Sequence, residues 1–260
     1  MKKIISAAML IVMLLSCFAG CAANDESSDL SYIQDKGTLV VGITDYEPMD
    51  YKDENGEWTG FDAEFAQLFA AELGVEVEFF LLSDWEQKFF ELDTKNIDVI
   101  WNGMTIDDNA LANTNCSNPY VINAQVVVMK SEAAGNYTDV ESLKNLTLAV
   151  EKGSIGEKLL VQMEISDYVA LQDMATALME VASGTADACI VDIILANAMT
   201  GEGTGYPDLA IAMKLNEEEY GVGFRKGSDV TAKFNDFMAE LMQDGTLDAL
   251  AKKYNLTLVK

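Results

Sequence analysis

The chain has 43 acidic residues, 17 basic ones and no histidine, and Arg225 is its only arginine. Proton transfer would therefore fall to carboxylates, amines and phenols. Histidine-based catalysis and most transition-metal sites are excluded. Beyond the first 21 residues only Cys116 and Cys189 remain, and two cysteines make no disulfide framework. Cys189 lies in the apolar run Ala188-Cys189-Ile190-Val191 and reads as a small core residue. Asp192 closes that run, where a carboxylate either faces a cleft or caps the segment 193–199 as a helix. No constellation singles out a general acid or base, so no catalytic residue, metal or cofactor is expected. A net charge of −26 repels polyanions, so nucleic acid is not an expected partner.

These residues need elements to position them, and the pattern supplies alternating strands and helices of an α/β architecture. Residues 38–43 form a β-rich run. After the turn Asp53-Glu54-Asn55-Gly56, residues Phe61, Phe65, Leu68, Phe69 and Leu73 mark one helix face, with Gly74 placed to end it. Residues 75–79 alternate as a strand, and 97–101 form a buried one. A second series follows: strands over 125–129, 146–150 and 188–191, with a helix through 175–182 ending at Gly184. Two helices close the chain. Val230, Phe234, Phe237 and Leu241 face inward on the first, and Gly245-Thr246 stops it and caps the next.

The N-terminus reads as a targeting segment. Lys2 and Lys3 precede the apolar run 4–15, and Phe18-Ala19-Gly20-Cys21 resembles a bacterial lipobox, with Cys17 a weaker competitor. Residues 1–20 are expected to be a signal peptide, Cys21 the lipidated residue, and 21–35 the anchor and tether. No later segment reaches ~20 apolar residues. The expected location is the extracytoplasmic face of the cell membrane, held by lipid alone. Loss of Lys2 and Lys3 takes the charge from −26 to −28.

From Lys36 to Tyr254 the chain resembles the family 3 extracytoplasmic solute-binding proteins, which serve polar amino-acid ABC importers. The resemblance rests on Gly37-Thr38-Leu39-Val40-Val41-Gly42, Thr59-Gly60-Phe61-Asp62, Gly103-Met104-Thr105-Ile106, Ser117-Asn118-Pro119-Tyr120, Gly184-Thr185-Ala186-Asp187-Ala188 and Tyr220-Gly221-Val222-Gly223-Phe224-Arg225-Lys226-Gly227, in this order. It implies a two-lobed periplasmic-binding-protein-like type II fold with two crossover hinge strands, near 125–130 and 219–224. Lobe 1 would comprise 36–125 and 220–260, and lobe 2 would comprise 126–219. The implied partners are a small amino acid or amine in the cleft and ABC permease subunits, with the protein a monomer.

By the same resemblance, Asp192 pairs with the ligand's ammonium, and Tyr46 and Trp85 sandwich its side chain. The family's carboxylate-binding arginine is missing. Gly103-Met104-Thr105-Ile106-Asp107-Asp108-Asn109-Ala110 puts Ala110 at its position, and no lysine or arginine occurs between Lys95 and Lys130. Backbone N–H groups near Gly103 and Thr105, and near Ser154 and Ile155 at a helix start, are the remaining donors, with Asn102 offering side-chain hydrogen bonds. Alternatively the ligand has no α-carboxylate, and Asp107, Glu151 and Asp192 make the cleft suit an amine or polyamine-like cation. A ligand-presenting sensory protein and a dehydratase on the same fold are further alternatives.

Overall fold

The computed structural model describes residues 28–260; the signal segment and Cys21 lie outside the described residues. Two sheets organise the chain, beside a short two-stranded sheet of β2 (Tyr51–Lys52) and β3 (Trp58–Thr59). The first runs in the order β4 (Glu76–Leu81), β1 (Thr38–Ile43), β5 (Val99–Thr105), β13 (Glu218–Phe224) and β6 (Asn115–Cys116), with β7 (Val121–Asn123) also paired to β13. The second runs β10 (Tyr168–Leu171), β9 (Leu148–Glu151), β11 (Ala188–Asp192), β8 (Gln125–Lys130) and β12 (Leu209–Lys214). In the first sheet β1 is parallel to β4 and β5, and in the second β9 is parallel to β10 and β11. Their central strands are apolar almost throughout because helices cover both faces. The result is a two-lobed α/β molecule. Among the described residues no helix is long and apolar enough to cross a membrane.

The chain passes between the sheets at Ala124 and again over residues 215–217. The two passages are tied together. Leu215 N–H donates to the Gln125 carbonyl at 2.8 Å, and Gln125 N–H donates to Asn216 Oδ1 at 2.7 Å.

The helix Phe61–Leu73 buries Phe61, Phe65, Phe69 and Leu73 as its spacing predicts, whereas Leu68, assigned to the same face, is exposed. Phe65 and Phe69 meet Phe234 of the helix Val230–Asp244 at centroid distances of 5.4 and 5.1 Å, and Phe65 meets Trp101 of β5 at 4.9 Å. This aromatic cluster brings the end of the chain back onto the first sheet. Gly74 adopts the left-handed conformation at φ 73°, as anticipated.

Two further local expectations change. β5, expected over 97–101, runs from Val99 to Thr105, its last residues staying in the sheet beside β13. Thr246 is the first residue of the last helix rather than its cap. Gly245, at φ 83°, takes the cap position, and Asp244 accepts the Thr246 N–H at 2.8 Å. Arg225 lies at the end of the first sheet away from the passages. Its guanidinium reaches Asp29 at 2.7 Å, Asp98 at 3.1 Å and the Ile97 carbonyl at 2.7 Å. Asp98 also accepts from Lys36 at 2.5 Å and from Val40 N–H at 2.8 Å. The only arginine thus clamps the helix Asp29–Lys36 to the sheet.

Removing one member of a buried ionic cluster leaves the others uncompensated. Arg225→Met should lower unfolding free energy by roughly 3–5 kcal/mol in urea titrations. Ligand affinity should be unchanged, because the clamp lies at the opposite end of β5 from the cleft.

Candidate functional site

β5, β9 and β11 each end with a polar residue pointing into the space between the lobes: Thr105, Glu151 and Asp192. The cavity that they enclose holds only about 30 Å³, room for a water molecule rather than for a small-molecule ligand unless the lobes part. The lobes touch at its rim. Lys152 pairs with Asp84 at 3.1 Å and Glu86 at 2.7 Å, and Lys158 pairs with Asp107 at 2.5 Å.

Asp192 is the electrostatic centre. It stands at the N-terminus of the helix Ile193–Met199 but makes no side-chain cap bond. Its carboxylate instead accepts from Gln125 Nε2 and from the Tyr220 hydroxyl, and the Tyr220 hydroxyl lies 2.7 Å from that of Tyr46. Asp192 is 5% exposed and forms no ion pair among the described residues. Burial, reinforced by the neighbouring Glu218 carboxylate, pushes its pKa up to about 7 against the lowering effect of its hydrogen bonds. Glu151 is buried too. Its Oε1 has no hydrogen-bond partner, and burial with the Asp192 charge beside it raises its pKa strongly.

Of the residues anticipated from sequence, Trp85, Asn102, Gly103, Thr105, Ser154, Ile155 and Asp192 all line the cleft. Tyr46 does not. It is 1% exposed in the core beneath, packed so closely on Gly103 that a Cβ there would meet its ring at 2.7 Å. Gly103, at φ 60°, is required by both the conformation and the contact. Its N–H is held by Asp62 at 2.7 Å. The side chain of Asn102 is likewise committed: Oδ1 accepts from Thr44 N–H and Oγ1, and Nδ2 donates to the Thr44 carbonyl and to Asp50. Thr105 Oγ1 donates to Glu218 at 3.1 Å, and Ser154 Oγ caps its helix by accepting from Glu157 N–H at 3.2 Å. Ile155 opens the eight-residue helix Ile155–Gln162, so its N–H has no carbonyl acceptor within the helix. The open donors and acceptors are fewer than the residue list suggests.

The model for bacterial extracellular solute-binding proteins, family 3, matches residues 39–257. This chain belongs to that family. Among its relatives is the L-cystine-binding protein TcyJ of Escherichia coli K12, 31% identical over 95% of this chain and 94% of TcyJ. A crystal structure of a mutant of ArgBP from T. maritima superposes with a TM-score of 0.81 at 31% identity, covering 87% of this chain and 98% of that one. The ancestral amino acid-binding protein AncCDT-1, described as a precursor of cyclohexadienyl dehydratase, gives 0.79 at 31% identity, over 87% and 99%.

Gln125 and Lys88 are among the lining residues of this solute-binding protein that were not picked out from sequence. Gln125, the first residue of β8, donates to both Asp192 and Glu218 and so joins the cleft to the passage between lobes. Lys88 is a lysine that is 6% exposed. Its signal was legible: it falls three residues after Trp85 and four before Leu92, on the buried face of its short helix.

The raised pKa of Asp192 fixes a pH dependence. Between about pH 4 and 7 the folded chain keeps a proton that the unfolded chain has lost, so ligand-free stability falls as pH rises through that window. Asp62, also raised to about 7 by burial, acts with the same sign. Asp192→Asn should raise the ligand-free melting temperature at pH 8 and change it little at pH 4. An equal change at both values would show that Asp192 is not the group responsible.

Proposed function

We propose that this protein is the extracytoplasmic substrate-binding lipoprotein of an ABC importer and takes an amino acid, or an amino-acid-like amine, between its lobes. The observation carrying this reading is Asp192: a buried carboxylate at the meeting point of the lobes, hydrogen-bonded by neutral donors and without a counter-cation. A ligand ammonium completes that site and favours the closed lobes. Relatives named for cystine, arginine and lysine/arginine/ornithine binding support an amino-acid ligand. Trp85 and the stems of Phe89 and Met174 offer apolar wall, and the first-turn N–H groups at Ile155 offer donors for a carboxylate. Cys21 would tether the protein to the membrane and residues 22–28 would give it reach, the expected tether being shortened from 35 because the helix Asp29–Lys36 is fixed to the first sheet. Closure about the two passages would present the ligand to the permease, with the protein acting as a monomer and performing no chemistry.

A second reading has its own support. Ala110 stands in place of the family arginine, and Glu151 adds a second buried carboxylate, which together suit an amine lacking a carboxylate.

Calorimetry with free amino acids, diamines and polyamines separates the two. Asp192→Ala should weaken ammonium binding by about 2–5 kcal/mol; unchanged affinity would remove Asp192 from the ligand site. Trp85→Ala should cost less, because it removes apolar wall and no charge. In membrane fractions, Cys21→Ser should release the protein from the lipid-anchored pool; persistence there would end the lipoprotein assignment.

A further inference from the structure

We propose that Lys88 replaces the family arginine as the cation that receives the ligand's carboxylate, making the ligand an α-amino acid rather than an amine. The inference rests on the amino-acid reading of the cleft and decides between its two versions.

Lys88 and Ala110 line the same cleft, and both are buried, at 6% and 1% exposure. An alanine side chain ends at Cβ, so the volume an arginine would occupy from position 110 is left to a neighbour. Lys88 comes from the short helix Lys88–Asp93, on the same lobe. An ammonium has three donors. Lys88 uses one, to the Trp85 carbonyl at 3.1 Å, and sits over the Trp85 and Phe89 rings at 4.4 and 4.8 Å. Among the described residues it forms no ion pair. Asp107, the nearest acidic residue of its own lobe lining the cleft, is engaged by Lys158. A buried cation with two unfilled donors is costly unless an anion completes it. Consistent with this, burial lowers its pKa to about 8, with Lys158 acting in the same sense, while Glu151, Asp107 and Glu86 oppose the shift. It is still mostly protonated at neutral pH.

The charges balance for such a ligand. Asp192 takes the α-ammonium, and Lys88 takes the α-carboxylate with help from the N–H groups at Ile155. A lysine is a point charge on a flexible stem rather than a planar fork. It holds a carboxylate with less geometric selectivity than arginine would. Glu151, on the facing lobe, is the competing partner for Lys88. If the two merely neutralise each other, Lys88 has no role toward the ligand.

Calorimetry on the purified protein with matched pairs tests this: L-lysine against cadaverine, L-arginine against agmatine, L-cystine against cystamine. The wild type should bind an amino acid more tightly than its decarboxylated partner. Lys88→Leu should weaken the amino acid by roughly 10- to 100-fold, the loss of a charge-assisted hydrogen bond, and should leave the amine no weaker, because its binding no longer buries an unpaired ammonium. Lys88→Leu combined with Ala110→Arg should restore amino-acid binding, a rescue that a purely structural role for Lys88 would not give. It also keeps the test open should the single variant fold poorly. Equal binding of acid and amine by the wild type, an unaltered amino-acid affinity in Lys88→Leu, or an equal loss of amine binding in that variant would each overturn the proposal. If neither class binds the wild type, the amino-acid reading of the cleft itself fails.

Discussion

The structure turns on a carboxylate that burial holds near neutrality. Asp192 lies where the lobes meet, and its donors come from the two places where the chain passes between them. Gln125 opens β8 just after the first passage, and Tyr220 lies in β13 just after the second. Gln125 also donates to Glu218 at 2.9 Å, and Glu218 accepts from Asn123 at 2.7 Å and from Asn216 at 3.0 Å. Hydrogen bonds to neutral groups shape this site without neutralising it. Burial and the second carboxylate disfavour charge on Asp192 more than its donors favour it. Position, charge and lobe geometry are therefore coupled: whatever supplies a cation to Asp192 also acts on the passages.

Beneath the cleft a second polar layer keeps the floor rigid. Asp62 accepts from the Tyr120 hydroxyl at 2.8 Å and from Gly103 N–H, and Asp50 accepts from Asn102 at 2.7 Å. Asp50 and Asp62 are both fully buried, and burial raises both their pKa values. A protonated carboxyl in such a pair becomes a donor, which suits a network otherwise rich in acceptors. Asn102 and Gly103 thus act from below: they hold the end of β5 in place, and the proposed ligand contacts fall to Trp85, Lys88, Ile155 and Asp192.

The architecture was legible because its signals were local and repeated. The spacing of Phe61, Phe65 and Phe69, the apolar runs at 38–43 and 188–191, and glycines at 74 and 184 all survive in the structure. Asp192 was legible as a residue whose position permits either a cap or a ligand contact; only geometry shows that it makes no cap. Side-chain direction was less accessible. Tyr46 and Asn102 lie beside the cleft in sequence terms, yet their polar atoms are taken by Tyr220, Thr44 and Asp50, which are distant along the chain. The deficit left by Ala110 was visible too, but a substitute cation was sought only between Lys95 and Lys130, and the carboxylate was assigned instead to backbone N–H groups near Thr105, Ser154 and Ile155. The buried lysine lies just before that window, disguised as one turn of a charged helix.

The rim contacts show why closure should depend on what fills the cleft. Lys152 and Lys158 are 44% and 37% exposed, so their pairs with Asp84, Glu86 and Asp107 compete with water and are screened by salt. They orient the lobes without locking them. Closure meanwhile takes Asp192, Glu151 and Lys88 out of water, which penalises each unpaired charge far more than an exposed pair compensates. The closed arrangement is thus disfavoured when empty by the same groups that favour it when filled. A ligand that offers an ammonium to one side and an anion to the other removes both penalties, whereas one offering only an ammonium leaves Lys88 unpaired. Selectivity then follows from the cost of incomplete pairing, and the loss of the arginine fork alters how the carboxylate is held without removing the reason to hold it.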